Sequence, residues 1–388
     1  MSNTLAPPTL IPIARPVIGD AELEAVRRPL LSGWLTQGPE VAAFEREFAA
    51  YVGAPYACAV SNCTTALHLA LRAAGVGAGD EVITVSHSFI ATANVVKYCG
   101  ATPVFIDIEA DSYNMDPSLI EPAITSRTKA ILCVHQLGMP CDLERIVAIG
   151  RRHGIPVIED AACAIGSEIR WNGRWEKIGR PHGDIACFSF HPRKVITTGD
   201  GGMITTANAE FDRKFRLWRQ HGMSVPDTVR HGSAEVVFES YPEIGFNYRM
   251  TDLQAALGLV QLTRLPSILA ERRAIARAYA QRLERVPEVI GPREPPYALS
   301  NWQSYCVQLP STCDQKKVMQ LMLDAGISTR RGVMNSHLED PYRSSDVRLP
   351  NSERAQQGLI LPLPAGITEA DVDRVCDSLR SVIDRVGS

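Results

Sequence analysis

A lysine just past a strand end, in a glycine-rich loop, can reach a pocket over a sheet edge and act as a Schiff-base nucleophile. The 388-residue chain has seven lysines, at 97, 129, 177, 194, 214, 316 and 317, and only Lys194 is placed that way. It closes the segment Ser189-Phe-His-Pro-Arg-Lys194, behind the apolar run Ile-Ala-Cys-Phe, and Val-Ile-Thr-Thr-Gly-Asp-Gly-Gly follows. The other six have solvated-face readings, and an exposed loop lysine is the plain alternative for Lys194 as well. Asp160 is the second candidate, at the end of Pro-Val-Ile-Glu-Asp-Ala-Ala with Glu159 beside it. Successive strand residues face opposite ways, so only one of these two acids can point over a site. An acid there can bind a metal, orient a base, hold a pyridine nitrogen protonated, or simply cap the next helix. The third feature is Ser61-Asn-Cys-Thr-Thr, where a strand gives way to a helix. Backbone N–H groups at that helix start, with the Thr64 and Thr65 hydroxyls, make a phosphate cradle, although such clusters cap most helices anyway. Gly75-Val-Gly-Ala-Gly79 follows a helix and precedes a strand, the reverse of a dinucleotide fingerprint, and reads as a turn.

The elements that must position these residues alternate. Strands are expected at Tyr56–Val60, Glu81–Val85, Thr102–Ile106, Lys129–Val134 and Pro156–Glu159. Helices are expected between them at Thr64–Ala74, Ile90–Tyr98 and Leu143–His153. Continuous β-rich runs separated by helices point to a mostly parallel sheet covered on both faces. Ligands of such sheets bind at the carboxyl ends of the strands. Ile185–Phe190 and Gly202–Thr206 add two strands joined by the loop His191–Gly201, and Asn208 caps a helix running to about Gln220. Ser224–Gly245 reads as a long loop, and Thr251–Arg285 as a helix kinked or broken at Pro266. A strand (Ser304–Leu309) and helices at Gln315–Ala325 and Glu369–Val386 complete a smaller α+β domain. The expected division is a large α/β domain over residues 1–255 and a small α+β domain over 256–388.

Composition narrows the class. Lys+Arg at 40 against Asp+Glu at 43 gives a net charge of -3, without the basic excess of a nucleic-acid binder. No run approaches the ~20 apolar residues of a bilayer span. The opening Met-Ser-Asn-Thr-Leu-Ala-Pro-Pro has no secretory pattern. A cytoplasmic enzyme is expected. The ten cysteines form no Cys-x-x-Cys pair, so no metal site is assigned, and they read as reduced core residues.

Together these pieces resemble the DegT/DnrJ/EryC1/StrS-type sugar aminotransferases, which depend on pyridoxal phosphate (PLP). The resemblance extends from Gly33-Trp-Leu-Thr-Gln-Gly-Pro through Ser61–Leu71 and His87-Ser-Phe-Ile-Ala-Thr-Ala-Asn to Glu159-Asp-Ala-Ala. It continues through the Lys194 segment to Gly245-Phe-Asn-Tyr-Arg-Met-Thr-Asp-Leu-Gln-Ala-Ala. It implies the type I-like fold of PLP-dependent aminotransferases. Lys194 would hold the cofactor and shuttle the proton between substrate Cα and cofactor. Asp160 would keep the pyridine nitrogen protonated, making the ring an electron sink. Thr64, Thr65 and Ser189 would bind the phosphate, Phe89 would stack on the ring, and Asn247 would reach the phosphate held by a second subunit. Trp34, His191, Arg249 and His337 fall on the substrate side. Cys63 stands where the family usually has glycine, and Cys163 where Gln or His commonly meets the ring hydroxyl; a thiol is a weak donor and a poor acceptor.

The resemblance further implies a homodimer with shared active sites, cycling between PLP and its amine form, pyridoxamine phosphate (PMP). The amino group would pass from an amino acid, glutamate above all, to a keto group of a nucleotide-linked sugar or related polyol. No nucleic-acid or membrane partner is expected. Two other readings differ in what they require. A same-family sugar dehydratase would replace the catalytic lysine by histidine, and Lys194 argues against it. A non-enzymatic regulator would need a basic patch or helix-turn-helix, for which the composition supplies no sign.

Overall fold

The computed structural model describes residues 10–343 and 346–386, so the opening octapeptide considered above lies outside the described residues. Helices α1 (Asp20–Ser32) and α2 (Pro39–Val52) precede the first strand. There follow β1 (Tyr56–Val60), α3 (Cys63–Ala73), β2 (Glu81–Val85), α4 (Ala91–Tyr98) and β3 (Thr102–Ile106). Next come α5 (Ile120–Ala123), β4 (Thr128–Val134), α6 (Leu143–His153) and β5 (Val157–Asp160). A hairpin of β6 (Glu168–Trp171) and β7 (Arg174–Lys177) leads to β8 (Ile185–Ser189), β9 (Gly202–Thr206), α7 (Ala209–Trp218) and α8 (Asp227–Gly232). The long α9 (Asp252–Leu283) precedes β10 (Ala298–Leu299), β11 (Tyr305–Gln308), α10 (Gln315–Asp324) and β12 (Arg330–Arg331). The described chain ends with α11 (Pro350–Ala355), β13 (Gly358–Leu361) and α12 (Glu369–Val386).

The central sheet has the order β1-β9-β8-β5-β4-β2-β3. Its pairs are parallel except at β9, which runs antiparallel to both β1 and β8. Every residue of β2, β8 and β9 is buried, as expected of strands covered on both faces. The carboxyl ends of β1, β2, β4, β5 and β8 therefore share one edge. Two smaller three-stranded sheets, β10-β6-β7 and β11-β13-β12, lie outside it.

Expectation and structure part at identifiable places. Ser224–Gly245 holds the short α8 rather than being loop throughout. Helix α9 runs unbroken through Pro266. A proline inside a helix costs about 3 kcal/mol. Leu262, Leu265, Ile268 and Leu269 are all buried around it, and each such side chain contributes roughly 1.5–3 kcal/mol. Packing wins. The same helix is the one among the described residues long and apolar enough to cross a membrane. Its apolar side chains instead serve two cores, Leu262 to Leu269 in the larger and Ile275 to Leu283 in the one around Tyr279, Trp302 and Tyr305.

Buried polar contacts lock these two regions together. Asn335 accepts at Oδ1 from His87 Nδ1 (3.0 Å) and donates to the Ser352 carbonyl (2.8 Å). Asp107 accepts from the Asn351 and Ser352 amides and the Ser352 hydroxyl at 2.7–2.8 Å. At the opposite side, Glu45 on α2 accepts the Ala59 N–H (2.9 Å) and pairs with Arg219, which donates to the Ala59 carbonyl (2.7 Å). That clamp fixes the end of β1 just before Ser61.

Candidate active site

The site is built at the shared strand edge. Asp160 ends β5 and is buried; its Oδ2 accepts from the Thr92 hydroxyl (2.8 Å) and its Oδ1 from the Ala162 N–H (3.1 Å). Burial pushes its carboxyl above the usual aspartate range, against the pull of Thr92, the Ala162 N–H and Lys194. Glu159 faces the other way, as strand alternation requires. It accepts from His135 Nε2 (3.0 Å) and the Gly183 N–H (3.2 Å). His135 Nδ1 accepts the Cys141 N–H (3.0 Å), which leaves Nε2–H as the donor to Glu159.

Lys194 lies in the loop between β8 and β9, its N–H bonded to the His191 carbonyl (2.8 Å). Its Nζ stands 3.1 Å from Cys163 Sγ. Burial works to lower this ammonium, but Cys163, with Cys63 and Asp160 behind it, leaves it above the ordinary lysine value. The loop returns on itself through Phe190 N–H to Gly201 O (2.9 Å) and Thr198 N–H to Phe190 O (3.0 Å). Gly202 opens β9 against the start of α3: a Cβ there would meet the Asn62 carbonyl at 2.5 Å, so only glycine permits the approach.

At that helix start, Asn62 caps α3 by accepting the Thr65 N–H (2.9 Å), and the Thr65 hydroxyl turns back to the Asn62 carbonyl (2.7 Å). Among the described residues, the N–H groups of Cys63 and Thr64 and the Thr64 hydroxyl have no protein partner. Unmatched donors at the positive end of a helix are what a phosphate monoester requires. Ser189 borders the same edge, its oxygen accepting the His191 N–H at 3.4 Å. Phe89 stands 65% exposed just before α4, a free aromatic face near Thr92. The residues fit PLP at each end: orphan donors for its phosphate, and a buried carboxylate that burial leaves in want of a cation.

The remaining candidates divide. Half-buried His191 accepts the Arg193 N–H at Nδ1 (3.2 Å), and burial with the nearby Arg193 and Lys194 charges holds it below the usual histidine range. Asn247 is exposed on a segment whose Tyr248 carbonyl accepts the Ser61 N–H (2.8 Å), with half-buried Arg249 next. Trp34 donates from Nε1 to the Gln37 carbonyl (3.2 Å), and Gln37 bonds Gln220, which bridges Asn247. His337 is fully buried at the end of β2. The Ser86 hydroxyl accepts its backbone N–H (2.9 Å) and shares a hydrogen bond with its Nδ1 (2.6 Å), while Nε2 faces Glu353 (3.4 Å). Its Nδ1 thus joins the end of β2 to the C-terminal region, and its Nε2 contact lies within that region. Two contributors carried no assignment from sequence: Thr92, inside the quoted His87–Asn94 motif, and Asn301, which donates to the Cys163 and Ile165 carbonyls (both 2.8 Å).

A parallel-sheet scaffold with a lysine, a buried aspartate and a helix-borne anion cradle at one edge defines a PLP-dependent transferase. Residues 16–380 match the model of the DegT/DnrJ/EryC1/StrS aminotransferase family. GDP-perosamine synthase of Caulobacter vibrioides is 40% identical, with 96% of this chain and 98% of that protein covered. Spore coat polysaccharide biosynthesis protein SpsC of Bacillus subtilis is 37% identical over 96% of this chain and 97% of its own. The PLP form of the sugar aminotransferase Spr1654 from Streptococcus pneumoniae, described as putative, superposes with a TM-score of 0.88 at 29% identity, covering 97% of this chain and 99% of that one. The chain belongs to the DegT/DnrJ/EryC1/StrS aminotransferase family, and its cofactor is PLP, alternating with PMP.

Proposed function

We propose that the enzyme moves an amino group from glutamate to a keto group of a nucleotide-linked sugar, in the cytoplasm, as a homodimer with shared sites. The observation that carries amino transfer is the placement of the Lys194 amine beside buried Asp160 at the sheet edge. The acceptor class is supported by the relatives, one named a GDP-perosamine synthase and one a spore coat polysaccharide biosynthesis protein.

When bound, PLP supplies an electron sink for the negative charge left at a deprotonated carbon. Lys194 Nζ would hold the cofactor at its aldehyde carbon and, once free, would carry the proton lost from the donor's Cα. Asp160 would hold a proton on the pyridine nitrogen, its carboxylate kept aimed by Thr92 and the Ala162 N–H. The α3 amides, Thr64 and Ser189 would bind the phosphate, and Phe89 would cover one ring face. With glutamate alone, the PLP form should release one 2-oxoglutarate per subunit and stop; a keto-sugar nucleotide should then restore the PLP spectrum. Failure at the first step overturns the donor, and failure at the second overturns the acceptor.

Sharing between subunits is supported by exposed Asn247 and the apolar surface preceding it: Val236, Phe238 and Ile244 are 84%, 89% and 90% exposed. A second copy would cover such a surface, and a two-fold contact gives each site the same reach. Inactive Lys194→Ala and inactive Asn247→Ala chains, mixed and allowed to exchange, should regain activity, because one site of each heterodimer has both native residues. No recovery after exchange, verified by mass, would show that each chain completes its own site.

A further inference from the structure

Nine of the ten cysteines are buried; Cys163 alone is not. It is also the cysteine whose sulfur lies 3.1 Å from Lys194 Nζ. The arrangement is held from both sides. Asn301, itself fully buried, bonds the Cys163 and Ile165 carbonyls, and the Lys194 N–H bonds the His191 carbonyl. The nearby Cys63 is a different kind of thiol: buried, directed to the Cys187 carbonyl at 3.6 Å, and pushed by burial well above the ordinary range.

Reactive cysteines are partly exposed and stand beside a cation, and Cys163 meets both conditions. We propose that Cys163 and Lys194 form a modification site for hydrogen peroxide, which joins them through a sulfur–nitrogen bond. In the first step the Cys163 thiolate attacks one peroxide oxygen, the O–O bond breaks, and the departing hydroxide takes the Lys194 ammonium proton to leave as water, giving a sulfenic acid beside a neutral amine. In the second that amine attacks the sulfur, an S–N bond forms, the S–OH bond breaks, and the hydroxyl leaves with an amine proton as a second water. Sulfur is oxidised by two electrons and peroxide is reduced, so thiol, amine and peroxide become one sulfenamide and two waters. Condensation of a sulfenic acid with a nitrogen is an established branch of cysteine oxidation, and thiols reverse it.

The site exists only while the lysine amine is free. On the proposed role of Lys194, the PMP form exposes the pair and the PLP form protects it. The amine that serves the reaction would thus mark the state in which oxidant disables the enzyme.

The test uses the full-length enzyme in its PMP and PLP forms, treated with hydrogen peroxide and read by intact mass and peptide mapping. The PMP form should lose two hydrogen atoms, yield a peptide joining Cys163 to Lys194, and return to its starting mass with dithiothreitol. Lys194→Ala should keep its hydrogens, and its Cys163 should be trapped by dimedone as a sulfenic acid. Cys163 found only as sulfinic acid, or a Cys63–Cys163 disulfide in place of the mixed peptide, would overturn the proposal. A joined peptide of equal yield in the PLP form would keep the site and instead refute Lys194 as the residue that holds PLP.

Discussion

Lys194→Ala is expected to lower turnover by at least about 10^3-fold, the upper part of the range for losing a positioned acid–base group. Two functions vanish together, since the same nitrogen holds the cofactor and moves the proton. No other amine is placed to substitute: Lys97, Lys129, Lys177, Lys214, Lys316 and Lys317 lie on other helices and strands or at their ends. Borohydride reduction of the native PLP enzyme, followed by peptide mapping, should put the pyridoxyl label on Lys194. A label on any other lysine sinks the assignment. The variant should still take up pyridoxamine phosphate, because the α3 donors and Asp160 are untouched. That uptake separates a chemical defect from a folding defect.

Asp160→Asn is expected to cost about 10^2–10^3-fold in kcat, the effect of removing one preorganised electrostatic partner from a buried site. Cofactor affinity should fall less, since the phosphate contacts lie at the other end. The amide keeps the size of the carboxyl and the acceptor for Thr92 or Ala162, but it has no charge with which to hold a pyridinium proton. A variant with near-normal turnover would reduce Asp160 to a helix cap. The same group sets a direction with pH. Burial raises its carboxyl above the usual aspartate value, and only the ionised form stabilises the pyridinium. Activity governed by it should be present above that raised value and lost as the pH falls through it.

Much of this site is legible in the chain because its residues follow strand ends. Lys194 stands out by elimination among seven lysines, and the Glu159–Asp160 ambiguity is one of parity: Asp160 bonds Thr92 while Glu159 bonds His135 on the other face of β5. Other parts have no strong local signal. Helices α1 and α2 begin at Gly19 and Gly38 without a side-chain cap, and Pro29 lies inside the first. The β6–β7 hairpin had a signal that the alternation of strands and helices masks. Asn172-Gly173 takes the left-handed conformation at both positions, with φ of 47° and 79°, as a tight hairpin turn demands. The roles of Thr92 and Asn301 depend on contacts 68 and 138 residues distant in sequence, and no spacing rule reaches that far. His337 is similar: its contacts with Ser86 and Glu353, 251 and 16 residues away, have no local signal.

The buried contacts of His87 with Asn335, Ser86 with His337, and Asp107 with Asn351 and Ser352 are directional as well as short. Hydrogen bonds constrain an angle where apolar packing permits sliding, and breaking buried ones costs the desolvation of each group. Regions braced this way hold one relative angle. A substitution such as Asn335→Ala would therefore be felt on both sides of the brace, at His87 and at Ser352 alike.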